Sequence, residues 1–359
     1  MTGAIQQSTY QSLFEGKHVL VTGAAGTIGR VLISELLRTD LARLDALDHD
    51  ENGVFHLEEE FRTDPRFYSF IGDVRDYDKL HHAMTGTHIV LHGAALKHVT
   101  ICERAPFDAV QTNILGVKNV INASIAANVE RVIFMSSDKA VNPTNVMGTT
   151  KLMGERLVTA ANTMRSPGGT IFSSTRFGNV LGSRGSVLEV FATQIREGEP
   201  VTLTSPEMSR FIMSENQAVR LVLESSALAR GGEVFVTKMP AVSIQDLAHA
   251  VISILAPRYG LSPENIKISI TGSRIGEKYY EELVNDEEVR RTIELKHHYV
   301  VLPAFSYIYP DAEYTYPDMK SDTIQGVYRS DQETMLAPEE LVQFLLDNDL
   351  LPDNGDEIG

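Results

Sequence analysis

The chain has 359 residues, and 48 acidic side chains against 32 basic ones leave a formal net charge of −16. So anionic a surface repels a phosphate backbone unless its few cations are clustered, which argues against nucleic acid as the main partner. With 43% hydrophobic and 22% charged residues, the composition is that of a folded protein, long enough for two ordinary domains or for one large domain with an added lobe.

Residues 1–16 are polar, lack the apolar core and basic flank of a secretory signal, and read as an arm or helix ahead of the fold. His18 to Thr22 is a short β-branched apolar run that breaks at Gly23, and Thr27 to Leu37 has apolar residues at helical spacing. Further strands are expected at Leu44–Leu47, Phe67–Ile71, Ile89–His92 and Arg131–Met135, with helices at Leu80–Met84 and Ala109–Asn128 between them. Strands alternating with helices predict a parallel sheet covered on both faces. A helix from about Met147 to Thr163 and a strand at Thr170–Thr175 follow. Beyond them, turns at 198–200, 205–206 and 231–232 frame short strands at Val201–Leu203 and Val234–Thr237. That pattern predicts a mixed lobe interleaved with returns to the main sheet. Residues 17–177 are therefore read as the main α/β domain, with later returns at about 234–250, residues 178–350 mainly as the mixed lobe, and 351–359 as an acidic tail that frays.

The lone Cys102 can form neither an internal disulfide nor a thiolate metal site, which fits a reducing cytoplasm. The scattered histidines show no metal-ligand spacing, and no apolar run approaches the roughly 20 residues that span a bilayer. A soluble cytoplasmic protein is expected, with no metal and no membrane contact.

Gly23-Ala24-Ala25-Gly26-Thr27-Ile28-Gly29 lies between a predicted strand and a predicted helix, the context of a dinucleotide-binding turn. Glycines there let the backbone approach a pyrophosphate, whose charge falls on the helix N-terminus. Asp48 ends the second strand 19 residues beyond Gly29. A carboxylate at that place accepts hydrogen bonds from ribose hydroxyls and repels a 2′-phosphate, which favours NAD over NADP. The structural alternative is a solvated loop acid within Asp48-His49-Asp50-Glu51. Asp73, after the third strand, reads either as an adenine contact or as a turn residue capping the next helix.

These motifs, together with Gly72–Asp76, His92–Val99, Thr112–Gly116, Ser136–Pro143, Asn145–Lys151, Arg176–Val180, Gly182–Val187, Ser209–Phe211 and Gly276–Lys278, closely resemble the extended short-chain dehydrogenase/reductases. Within them they resemble the nucleotide-sugar 4,6-dehydratases that act on UDP-N-acetylglucosamine, and the match runs in order over residues 17 to 285. The resemblance implies an α/β fold, a Rossmann-type doubly wound parallel sheet with a smaller mixed C-terminal substrate lobe. It implies NAD contacts from Thr22, Gly23, Gly26, Thr27, Ile28, Gly29, Asp48, Asp73, Val74, Ala94, Ala95, Lys97, Asn113 and Lys151. The implied catalytic set is Ser137, Asp138, Lys139, Met147 and Lys151. Substrate contacts are implied at Lys97, His98, Arg176, Asn179, Arg184, Ser186, Arg210, Arg274 and Glu277, the arginines presenting planar forks that suit diphosphate oxygens.

In this family a 4,6-dehydratase moves a hydride from sugar C4 to NAD, eliminates water across C5 and C6, and returns the hydride to C6. The resemblance gives Asp138 the protonation of the departing 6-hydroxyl and Lys139 the removal of the C5 proton, while Ser137 faces the C4 oxygen and Lys151 holds the nicotinamide ribose. One position departs from the pattern. The usual Tyr four residues before the Lys is Met147, whose thioether cannot transfer a proton. Water and Asp138 both stay open as acceptors of the C4 hydroxyl proton. The layout and long C-terminal extension resemble the enzymes that invert C5. A UDP-sugar C4 epimerase and a non-catalytic NAD-binding regulator are the competing readings. The long helices at 109–128 and 145–163 have wide apolar faces, and a homo-oligomer is expected from them.

Overall fold

The computed structural model describes residues 8–164, 168–182, 186–272, 276–305, 308 and 312–351. The chain divides into two compact units, one made of residues 1–177, 218–238 and 284–327, the other of 178–217, 239–283 and 328–359.

In the first unit lie the strands β1 (His18–Thr22), β2 (Arg43–Asp48), β3 (Phe67–Ile71), β4 (Ile89–His92), β5 (Arg131–Ser137) and β6 (Ile171–Phe177); β1, β4 and β5 carry continuous apolar runs, while β2 and β6 mix apolar with polar residues. They lie in the order β3-β2-β1-β4-β5-β6, all parallel, and Val234–Thr237 pairs parallel with β6. The strand order reverses between β1 and β4, the place where open α/β sheets present a ligand crevice at their carboxyl ends. The Rossmann-type expectation is met by seven strands. Three more, His298–Val301, Thr292–Leu295 and Met319–Ser321, extend the sheet by antiparallel pairing. Leu20, Val90, Val132 and Phe134 of the strands pack with Val117, Val120, Ile121 and Val158 of the covering helices.

Residues 8–14 form a helix, one of the two forms read for this segment, with Tyr10 and Phe14, one turn apart, both buried. The helix expected over Ala109–Asn128 is broken into Pro106–Val110, a π-helical turn at Gln111–Leu115, and Gly116–Ala126. Asn113 sits in the middle of that turn and is claimed by partners outside its own helix, as described below.

In the second unit Asn179–Val180, Ser209–Met213 and Ala241–Ser243 make a three-stranded sheet, and Val201–Leu203 pairs with Ile268–Ile270. Helices Val187–Arg196, Ile244–Arg258 and Pro338–Asp347 close over a core that includes Phe191, Leu247, Val251, Leu255 and Leu341. Leu350 and Leu351 belong to that core, so an acidic tail cannot begin before them; residues 352–359 lie outside the described part of the chain.

Candidate active site

The Gly-rich turn closes as tightly as its sequence demands. Gly23 has φ +72°, and a Cβ on it would come within 2.6 Å of the Ala94 amide nitrogen. A Cβ on Gly29 would strike the carbonyl oxygens of Gly23 and Ala24, so helix Thr27–Leu37 packs at this distance only with glycine. No side chain caps that helix at Gly26, which leaves its first amides directed at the turn's open side. Asp48, buried at the end of β2, accepts from the Ala25 and Asp50 N–H groups at 2.9 and 3.1 Å. Its carboxylate is thus fixed against the turn rather than solvated in a loop. This cradle, which a Cβ would fill, and the acid beside it fit a dinucleotide. Thr22 donates to or accepts from His92 Nδ1 at 2.7 Å, and Thr27 and Ile28 open the helix half-buried. Asp73 is clasped by Arg75 at 2.9 and 3.0 Å, which holds its carboxyl below the usual range; Val74 beside it is buried.

Where β4 ends, Ala94 and Ala95 are half-buried while Lys97 and His98 are exposed, His98 preceding helix Val99–Arg104. Asn113 holds this loop from below. Its Oδ1 accepts from Leu96 N–H at 2.8 Å, and its Nδ2 donates to the Leu96 carbonyl and to Thr150 Oγ1, both at 3.0 Å. Its amide therefore joins the β4 loop, the π turn and the helix Val146–Ala161, and this demand accounts for the irregular turn.

At the carboxyl end of β5, Ser137, Asp138 and Lys139 form a closed set. Lys139 Nζ donates to Asp138 Oδ2 at 3.1 Å and to Oδ1 at 3.2 Å, Ser137 Oγ donates to Asp138 Oδ1 at 2.8 Å, and Lys139 N–H donates to Ser137 Oγ at 3.1 Å. Asp138 is 5% exposed and the Lys139 side chain 35%, so the acid is sheltered and the amine reaches outward. Lys151, 7% exposed, donates to the Met135 carbonyl at 2.8 Å and lies 4.8 Å over the Phe134 ring. Burial pushes its ammonium down to about 8. Met147, one turn earlier, packs into a small apolar cluster with Cys102 and Ala109. The position of the family's Tyr therefore carries a packing residue.

The expected substrate contacts divide between the two units, and one of them is turned inward. Arg176 is 1% exposed and engaged by Glu155 and Glu288 at 2.7 to 2.8 Å, held inside the first unit rather than offered to a diphosphate. In the second unit Asn179 is half-buried in its short strand, and Ser186 stands at the N-cap of Val187–Arg196. Arg210 has a side chain only 12% exposed and lies 3.4 Å from Glu281 and 4.0 Å from Glu277. Arg184 and Arg274 lie outside the described residues. Sequence reasoning missed Glu155 and Glu288, although the spacing 147, 151, 155 would have put Glu155 on the same helix face as Lys151.

Residues 19–303 match the family of polysaccharide biosynthesis proteins. An uncharacterised membrane protein of Methanocaldococcus jannaschii is 49% identical over 81% of this chain and 87% of its own length. A UDP-glucose 4-epimerase of Rickettsia massiliae is 37% identical over 93% of this chain and 96% of its own. The crystal structure of Pen from Bacillus thuringiensis superimposes with a TM-score of 0.85 at 40% identity, covering 94% of this chain and 99% of that one. A dTDP-glucose 4,6-dehydratase from Streptomyces venezuelae, solved with NAD bound, shares the fold at a TM-score of 0.64 and 21% identity over 73% of this chain and 86% of that one. No helix among the described residues is long and apolar enough to cross a membrane. The fold is that of the extended short-chain dehydrogenase/reductases. The chain belongs to the polysaccharide biosynthesis protein family and is an enzyme, with nucleotide-sugar epimerases and dehydratases among its neighbours.

Proposed function

We propose that this nucleotide-sugar-modifying enzyme, acting in the cytoplasm, catalyses NAD-dependent 4,6-dehydration of UDP-N-acetylglucosamine to a UDP-4-keto-6-deoxy-N-acetylhexosamine, with inversion at C5, in the biosynthesis of a surface polysaccharide or glycan. The observation that carries this is the Asp138–Lys139 contact. Elimination across C5 and C6 needs a protonated acid and a neutral base at once. A pair 3.1 Å apart that shares one proton reaches that state by moving the proton from Lys139 Nζ to Asp138 Oδ2. Asp138 then protonates the departing 6-hydroxyl and Lys139 takes the C5 proton. NAD, when bound, supplies the oxidation at C4 and the matching reduction at C6. Thr22, Gly23, Gly26, Thr27, Ile28, Gly29 and Asp48 would hold it on one side, and Ala94, Ala95 and Lys151 on the other, while Asn113, buried and engaged by Leu96 and Thr150, keeps the Ala94–Leu96 loop in place rather than meeting the cofactor. Ser137 positions the C4 oxygen, and Lys97 and His98 are the first unit's remaining candidates for the nucleotide sugar; Asn179, Ser186, Arg210 and Glu277 are the candidates that the resemblance assigns to the second unit by itself.

A UDP-sugar 4-epimerase is the second reading, favoured by the name of the Rickettsia relative. An epimerase returns the hydride to C4 and has no elimination for an acid–base pair to perform. Proton NMR of UDP-N-acetylglucosamine incubated with the protein separates the two: a new C6 methyl doublet is expected, and a C4 epimer without it overturns the dehydratase reading.

A further inference from the structure

Beneath Lys151 the first unit buries three charges that the proposed reaction leaves unused. Arg176 donates Nε and Nη2 to the two oxygens of Glu155 at 2.8 and 2.7 Å, and Nη1 and Nη2 to the two oxygens of Glu288 at 2.8 Å. All three side chains are at most 3% exposed. Two carboxylates on one guanidinium leave one surplus negative charge. Arg291 reaches Glu288 at 3.7 Å but is also engaged at 3.1 Å by the exposed Glu287, so it only partly offsets that surplus. On the other side, Lys151 precedes Glu155 by one helical turn and shares its face. Its ammonium is buried against a carbonyl oxygen and a ring, neither of which carries a full charge.

We propose that Glu155, Arg176 and Glu288 form a positioning device for Lys151, the surplus negative charge of the cluster serving as the buried counter-charge of its ammonium. This rests on reading Lys151 as a nicotinamide-ribose contact. A buried amine with no counter-charge sheds its proton, because desolvation penalises only the charged form. Burial lowers Lys151 while the Glu155 carboxylate raises it, and Glu155 is the one charged group whose pull on Lys151 is resolved. Other charged or titratable groups stand on the elements packed against its helix: Cys102, Glu103 and Arg104, Asp108, Lys118, Arg131, and Asp138 with Lys139. His92, at the end of β4, is pushed down to about 3 and stays uncharged. The cluster also reaches the catalytic segment. Glu288 lies in a helix capped reciprocally by Asn285, whose Nδ2 donates at 3.4 Å to Asn142 Oδ1, in the loop that follows Asp138 and Lys139.

The test is a direct titration of Lys151 in the full-length protein, by NMR of lysine labelled with 13C at Cε, with the signal assigned through Lys151→Met. Glu155→Gln should lower the midpoint by about one unit or more, the effect of removing one buried neighbouring charge. Glu288→Gln should lower it by less, in the same direction. Calorimetric NAD binding should lose affinity with rising pH at a correspondingly lower pH in both variants. An unchanged midpoint in Glu155→Gln overturns the proposal. So does a shift in Glu155→Gln with none in Glu288→Gln, which would make Glu155 a lone partner. If Glu155→Gln does not fold, Glu288→Gln decides alone, a downward shift supporting the proposal and none overturning it. Failure of the wild-type protein to bind NAD would sink the cofactor reading of Lys151, while the titration would still decide whether the cluster holds its charge.

Discussion

Gly148 lies directly under the main chain of Lys139: a Cβ on Gly148 would strike the Lys139 carbonyl oxygen and meet its carbonyl carbon at 3.1 Å. The helix that carries Lys151 therefore seats the Asp138–Lys139 segment through a residue with no side chain. Gly148→Ala should displace Lys139 and cost about 10²-fold in product formation, the scale of losing a placed acid or base. Rate by the methyl doublet and melting by circular dichroism check this; an undiminished rate would show that the segment tolerates the shift.

Lys139→Ala should nearly abolish product while leaving nucleotide-sugar binding within a few-fold, since the proposed role puts the amine at the reacting carbon and not at the nucleotide. A variant that keeps more than about a tenth of the rate falls below the 10²-fold loss typical of general acid–base catalysis, and Lys139 would not be the base.

Purified protein should retain NAD and turn over without added cofactor, because the cycle is redox neutral and Asp48 is fixed beside the Gly-rich turn by Ala25. Chromatography of the extracted nucleotide is the measurement. Recovery of NADP alone would remove Asp48 from the ribose.

His92 supplies a pH dependence of stability. It is wholly buried against Thr22 Oγ1, its Nε2 has no hydrogen-bond partner among the described residues, and desolvation together with the nearby Lys151 charge pushes it from 6.5 to about 3. Its folded-state pKa is depressed, so the unfolded chain binds a proton that the fold refuses. The stability it contributes is present above pH 6.5 and is lost as pH falls towards 3, at up to about 1.4 kcal/mol per unit. Urea unfolding at pH 6.5, 5.5 and 4.5 should show a shallower decline for His92→Gln than for the wild type. Parallel declines would mean that His92 is protonated in the fold.

A homo-oligomer is proposed to form through Phe107, Ile101, Val110, Leu115 and Met153. These are exposed at 37 to 84% and lie on the consecutive elements Val99–Leu115 and on helix Val146–Ala161. Light scattering at micromolar concentration should give at least twice the chain mass, and Phe107→Asp should reduce it. A wild-type mass near 39.7 kDa would rule the oligomer out.

The parts of the fold that were legible are those whose cause is local. A β-branched run, a glycine turn and a helical period lie within 20 residues of one another at the cofactor end, and the central strands β1, β4 and β5 carry continuous apolar runs because both faces of the parallel sheet are covered there. Asp138 and Lys139 were legible because they follow one of those strands. Arg176 was not. An arginine near a strand end reads like an anion ligand, while its partners stand 21 and 112 residues away in the sequence. The π turn was hidden for the same reason, since the Leu96 backbone that claims Asn113 is 17 residues distant and leaves no periodic trace. The antiparallel strands at Thr292–Leu295 and His298–Val301 are too short for alternation to declare them.

Each unit is assembled from three separate stretches of chain, and this limits how the protein can be divided. A fragment ending at Phe177 would hold the whole glycine turn and the acid–base pair, yet would lack Val234–Thr237. β6, six of whose seven residues are buried, would become a bare sheet edge of the kind that recruits other chains. The same fragment would leave Arg176 with one of its two carboxylates. Autonomous expression of the nucleotide-binding portion should therefore yield aggregate rather than a minimal cofactor binder, and any genetic fusion or split of this enzyme has to respect the interleaving.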